Sequence, residues 1–269
     1  MRQAVADAFW NFTAPKEGYL DYMYTDVKNL VTTGMGNLID PVGTAIGLPW
    51  RHRGSGVKAT QAEIIDTWNK VKARKDLAPM GGGKQKKYYD EMGIDLYLEP
   101  SDIKALVDAK LANNESILRK DFPQYDVWPA DAQLGLHSMA WAMGAAFAKK
   151  FPSFTKAVNQ MVPNFEEAAR QSHITGLNSD RQNADFQLFM NAARVMKENL
   201  DPDELLLDIA AGGALVSAGI KGAQAAGKVL GKKAFPVGAC LLGIGLAGGL
   251  WVIGNQYVKT SVREGRHRR

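Results

Sequence analysis

The sequence predicts an α+β fold, mainly helical with a small β-hairpin, and an apolar helical segment at the C-terminal end. Stretches 61–74, 101–120 and 130–150 are apolar at helical spacing or nearly throughout. Two short β-favouring runs, 22–26 and 30–33, stand three residues apart. Finally, 234–254 is 21 residues long and carries no charge.

The first element is a short amphipathic helix over 2–12, with Val5, Phe9 and Phe12 on one face. Pro15 is expected to interrupt it, leaving Glu17 at a helix or turn end before Gly18. The runs 22–26 and 30–33 then form a hairpin around Val27-Lys28-Asn29, where Asn tolerates a left-handed conformation. Asp26 ends the first strand and Thr32 lies on the second. Gly34 and Gly36, lacking Cβ, permit positive φ or close approach by a ligand. Glu17 and Asp26 are thus nine residues apart. Glycosidic cleavage needs such a pair: one acid protonates the departing oxygen, and a second carboxylate on the other face of the sugar attacks or activates water. An ordinary hairpin with exposed acids fits the same residues.

Pro41, Pro49, Pro79, Pro100 and Gly81-Gly82-Gly83 punctuate 37–100. Within it, Thr60-Gln61-Ala62-Glu63 is a capping box ahead of Ile64, Ile65, Trp68 and Val71, which predicts a helix over 61–74. Trp50 and Trp68 either stack on sugar rings or fill core. Lys70, Lys72, Arg74, Lys75, Lys84, Lys86 and Lys87 make the region basic, as a solvated face or as an attractor for an anionic polymer. The next helix, 101–120, has Ser101 as its expected N-cap and an apolar stripe of Ile103, Leu106, Val107, Leu111 and Ile117. Stretch 130–150 is uncharged apart from Asp131 and its terminal lysines, so it is expected as one helix buried on most sides, with His137 a core residue. The four histidines show no metal-ligand spacing, and neither metal nor cofactor is expected.

Leu200-Asp201-Pro202-Asp203-Glu204 breaks the preceding helix and divides the chain into a domain over 1–200 and an appendage over 201–269. Cys240 is the only cysteine, which excludes an intramolecular disulfide. As a helix, 234–254 would measure about 31 Å, close to the roughly 30 Å of a bilayer core. Contact with a membrane through 234–254 is the favoured reading, and a buried soluble hairpin with 209–229 competes with it. Basic residues flank the span on both sides, with a slight excess beyond it that favours a cytoplasmic C-terminus. The net charge of +5 suits anionic lipid or acidic glycan, and no nucleic-acid recognition motif accompanies it.

The segment Glu17-Gly18, Tyr24-Thr25-Asp26 and Thr32-Thr33-Gly34-Met35-Gly36 resembles the catalytic segment of phage-type lysozymes, the muramidases typified by the enzyme of T-even phages. Downstream, Ala140-Trp141-Ala142-Met143-Gly144 resembles that family's buried central helix, and Asn178-Ser179-Asp180-Arg181 the loop opening its last one. The resemblance implies a lysozyme-like two-lobed domain whose substrate-side lobe is enlarged over about 37–100. It implies that Glu17 is the general acid, that Asp26 positions or deprotonates the nucleophilic water, and that Thr32 helps hold that water. It also implies that Arg181 approaches Glu17. Gly36, Asn37 and Trp50 are candidate substrate-side or supporting residues. Members invert, so the carboxyl groups are expected roughly 6.5 to 9.5 Å apart. The sequence departs from the family at Asn37, where many members have His, and at Ser138 and Ala142, where the T-even enzymes carry amides.

The implied activity is an N-acetylmuramidase acting on bacterial peptidoglycan. The alternatives are a wall-binding scaffold that carries a membrane-active tail and a hydrolase of another aminosugar polymer such as chitin. Residues 1–7 lack the apolar core of a secretory signal. Action at the wall or periplasm therefore calls for delivery by a phage particle or a secretion system, with a chaperone or an immunity protein as further candidate partners.

Overall fold

The computed structural model describes residues 1–177 and 179–207, which fall within one compact unit of the chain. The expected apolar segment at 234–254 lies outside the described residues. Among the described residues, no helix is long and apolar enough to cross a membrane. The described part is mainly helical with small antiparallel sheets.

Helix α1, Gln3–Glu17, runs straight through Pro15. The expected break is absent because proline removes only one hydrogen bond near the helix end, while burial of Val5, Phe9 and Phe12 holds the rest. Lys16 completes the last turn, donating to the Phe12 carbonyl at 2.6 Å. Strands β1 (Leu20–Thr25), β2 (Val31–Gly34) and β3 (Asn37–Leu38) form one antiparallel sheet in that order. Asn29 in the β1–β2 loop takes φ 58°, the left-handed conformation expected of it.

After α2 (Val42–Ile46), β4 (Arg51–His52) and β5 (Leu96–Tyr97) pair as a second small sheet. Between them lie α3 (Gln61–Ala73), opened by the Thr60–Glu63 capping box, and α4 (Gly82–Glu91). Met23, Val31, Trp50, Ile64, Val71, Tyr89, Leu98 and Ile103 form the core of this sheet-bearing half. Its basic surface is largely neutralised: Lys70 pairs with Asp66, Lys72 with Asp40, Arg74 with Asp76 and Lys86 with Asp90.

Helix α5, Pro100–Asp121, starts one residue before the expected cap. Pro100 is preset for the first helical position and Glu99 caps it, with the Glu99 N–H donating to Asp102 Oδ2 at 3.3 Å. Helix α6 spans Ala130–Met143 and stops at Gly144, φ 85°, so the expected helix over 130–150 is divided there. Every residue of α6 from Ala130 to Trp141 is buried. Helix α9 (Ser179–Glu198) packs on it, α8 (Phe165–Gln171) packs on α9, and α7 (Pro152–Val158) packs on α8. Phe122, Trp128, Phe147, Phe154, Phe165 and Phe189 supply much of this helical half's core.

A strap over 201–207 belongs with this unit. Leu205 and Leu207 are buried against α1, α5, α6 and α9. The buried Asp131 carboxylate accepts from the Leu206 N–H at 2.9 Å, the Leu207 N–H at 3.2 Å and Asn191 Nδ2 at 3.0 Å. Burial pushes the Asp131 pKa up, and these donors oppose that rise.

Candidate active site

Glu17 is the last residue of α1 and Gly18 follows at φ 70°, which turns the chain from the helix into β1. Arg181, in the first turn of α9 and only 4 % exposed, forms an ion pair with Glu17 through Nη1 and donates from Nη2 to the Ser138 carbonyl at 2.7 Å. The α6 main chain thus aims the guanidinium at the carboxylate. The α6 backbone at this point is enclosed, since Ala130 to Trp141 are all buried.

Asp26 stands at the entrance of the β1–β2 loop, one residue beyond the strand it was expected to end. Its Oδ1 accepts from the Lys28 and Leu30 N–H groups, both at 2.8 Å. This is the local turn chemistry for which short carboxylates are favoured. Thr32, buried on β2, donates its hydroxyl to the Leu30 carbonyl at 3.1 Å and pairs across the sheet with Tyr24.

Tyr24 lies within electrostatic reach of both carboxylates. Burial pushes its phenol pKa up to about 12, the Gly36 N–H opposes this by hydrogen bonding, and the charges of both Glu17 and Asp26 add to the rise. The following turn is held from several sides. The Met35 carbonyl accepts from the Trp141 indole at 3.1 Å, and the Gly36 carbonyl from Lys110 Nζ at 3.1 Å. Asn37 Oδ1 accepts from the Met35 N–H at 3.2 Å, so Asn37 supports the turn from within. At Gly34 a Cβ would meet Ile103 Cγ2 at 2.9 Å, whereas at Gly36 it would meet nothing within 4 Å. Lys110 of α5 lies over the Trp141 ring at 3.9 Å; burial lowers its pKa, and the charges of Glu17 and Arg181 also act on it.

A further carboxylate lies behind the pair. Asp185 is 1 % exposed, four residues beyond Arg181 on the same face of α9. Burial is the main influence and raises its pKa to about 6; the Ser138 hydroxyl, Arg181 and Lys16 oppose this, and Glu17 adds to it. Its Oδ1 has no hydrogen-bond partner. The sequence reading missed Lys110 and Asp185, and the only available signal was the Arg181 to Asp185 helical spacing.

Trp50 does not join this group. It is 1 % exposed and donates to the Ala45 carbonyl at 2.9 Å, so it is a core residue and offers no face to a sugar. Trp68 donates to the Ile39 carbonyl at 3.0 Å and is partly buried against the same core. A cavity of about 640 Å³ lined by residues including His173, Gln182 and Phe186 contains none of the site residues. Among the described residues, no group of His, Cys, Asp and Glu side chains could hold a metal ion. No protein-family model and no curated protein matches the chain.

Proposed function

We propose that the chain is an inverting peptidoglycan hydrolase that cuts the bond between N-acetylmuramic acid and N-acetylglucosamine. The observation that carries this reading is the Glu17–Arg181 pair next to a Tyr24 phenol that feels both Glu17 and Asp26. Within a lysozyme-like two-lobed arrangement, protonated Glu17 gives its proton to the glycosidic oxygen as the bond to the anomeric carbon breaks. Arg181 then stabilises the carboxylate left behind. A water on the opposite face of the sugar loses a proton to Asp26 and bonds to that carbon, which inverts its configuration.

The hydrogen bonds around Asp26 favour this division of labour. Its Oδ1 takes two backbone donors, so Oδ2 is the oxygen offered to water. The Thr32 hydroxyl, already donating to Leu30, has lone pairs left to accept from that same water. The open side of Gly36 gives a sugar ring room to approach. Action at the bacterial wall or periplasm, after delivery by a phage particle or secretion system, is part of the same proposal.

Digestion of purified peptidoglycan by the full-length protein, with products identified by mass spectrometry and anomeric configuration followed by NMR, tests reaction class, bond and stereochemistry together. Glu17→Gln and Asp26→Asn should each lower turnover at least about 100-fold. Undiminished turnover in Glu17→Gln, or products of retained configuration, would overturn the assignment.

A further inference from the structure

Strand β1 is paired on one side only, because the sheet runs β1-β2-β3. Its outer edge ends at Thr25, the residue before Asp26, and such an edge leaves backbone groups that need partners. At Asp21 the Leu98 N–H supplies one, donating to the Asp21 carbonyl at 2.8 Å; at Thr25 a side chain does. Gln85 of α4 is fully buried; its Oε1 accepts from the Thr25 N–H at 3.0 Å, and its Nε2 donates to the Thr25 carbonyl at 2.8 Å. The same amide also receives the Tyr89 hydroxyl at 2.7 Å and donates to the Leu77 carbonyl at 3.0 Å. Its orientation is set by the Thr25 N–H, which needs an acceptor, and by the Thr25 and Leu77 carbonyls, which need donors, a combination that only a carboxamide provides at once.

The Thr25 carbonyl and the Asp26 N–H belong to one rigid peptide plane. Gln85 holds the oxygen end of that plane, and the Leu30 carbonyl, 2.9 Å from Asp26 N, holds the other. We propose that Gln85 is a positioning residue for Asp26: by standing in for a missing strand it fixes the peptide plane from which the Asp26 carboxylate reaches the loop amides. The catalytic part of this inference rests on Asp26 being the base that activates water. The segment that enlarges the sheet-bearing half therefore has a task at the site, through α4.

Gln85→Glu keeps the shape and the acceptor but removes both donations. In the full-length protein, hydrogen exchange at the Lys28 and Leu30 amides, which report the Asp26 hydrogen bonds, should speed up about tenfold, with α9 amides unchanged. Unchanged exchange at Lys28 and Leu30, or an equal change across the whole domain, would overturn the proposal. Tyr89→Phe, which removes one partner of the amide, should shift the same two amides in the same direction by a smaller factor, and it keeps the question decidable if Gln85→Glu does not fold. In hydrolysis, Gln85→Glu should lower kcat between about 10- and 100-fold with KM unchanged. It should have no further effect in an Asp26→Asn background, whereas a merely structural role would cost the same factor in both. A wild-type protein that leaves peptidoglycan intact would refute the hydrolase reading, while the exchange measurement would still decide the role of Gln85.

Discussion

Replacing Asp185 with Asn should stabilise the protein at neutral pH and do little in acid. Asp185 is enclosed by α1, α6 and α9, with Lys16 and Glu17 on the first, Ser138 on the second and Arg181 on its own helix. Burial outweighs the two cations and moves its pKa from 3.8 to about 6. The folded state therefore holds the proton more tightly than the unfolded chain, and stability falls as pH rises from about 4 to about 6. A difference of about two units, at about 1.4 kcal/mol each, corresponds to roughly 3 kcal/mol, absent below about pH 4 and complete above about pH 6. Urea unfolding of wild type and Asp185→Asn from pH 4 to 8, followed by tryptophan fluorescence at constant m-value, reads this directly. The two midpoints should coincide near pH 4 and separate by pH 7, with the variant more stable. A gap independent of pH, or one that opens toward acid, would refute the account. A carboxylate kept in so unfavourable a place, next to Arg181, has the character of a functional site.

Two further outcomes follow from packing and burial. Gly82→Ala would bring a Cβ to 2.6 Å from Tyr24 Cδ2 and 2.7 Å from Leu20 Cδ1; thermal unfolding should show a loss of about 1–3 kcal/mol with reduced hydrolysis, and wild-type values for both would exclude Tyr24 from the site. His137, whose pKa burial lowers to about 3 and whose Nε2 lies 2.8 Å from the Tyr125 hydroxyl, should show a neutral ring by nitrogen NMR at pH 5. Its contribution to stability is present above about pH 6.5 and is lost as pH falls toward 3; a protonated ring at pH 5 in the folded protein would contradict this burial.

What could be read from the sequence was local. The Thr60–Glu63 capping box and the left-handed Asn29 follow from the chemistry of a few adjacent residues, and both elements stand where expected. The ends of α1 and α6 did not follow from pattern alone. Pro15 resembles a break, yet packing of Phe9 and Phe12 carries the helix past it; the apolar run after Met143 resembles more helix, yet Gly144 turns out of it. The two-residue strands β4 and β5 are too short to leave a periodic signal. At the candidate site, Glu17, Asp26 and Thr32 sit in one short motif and stood out together. Arg181 could be matched with Glu17 only through the family resemblance, since 164 residues separate them. Gln85, Lys110 and Asp185 act across distant elements, and nothing nearby in the chain marks them. Trp50 was a candidate because a tryptophan serves equally as a sugar platform or a core filler; its indole bond to Ala45 decides for the core.

Gly18 gives the arrangement a mechanical property. On one side of it, Glu17 is fastened to α1 and, through Arg181, to the helical half; on the other, Asp26 is fastened to the hairpin and α4. On the proposed function, acid and base are thus anchored to different elements, which meet at Gly18 and again where Trp141 and Lys110 hold the Met35 and Gly36 carbonyls. On that reading, the gap between proton donor and proton acceptor is set by these anchors. Loosening the Trp141 bond should then alter the rate with neither carboxylate touched.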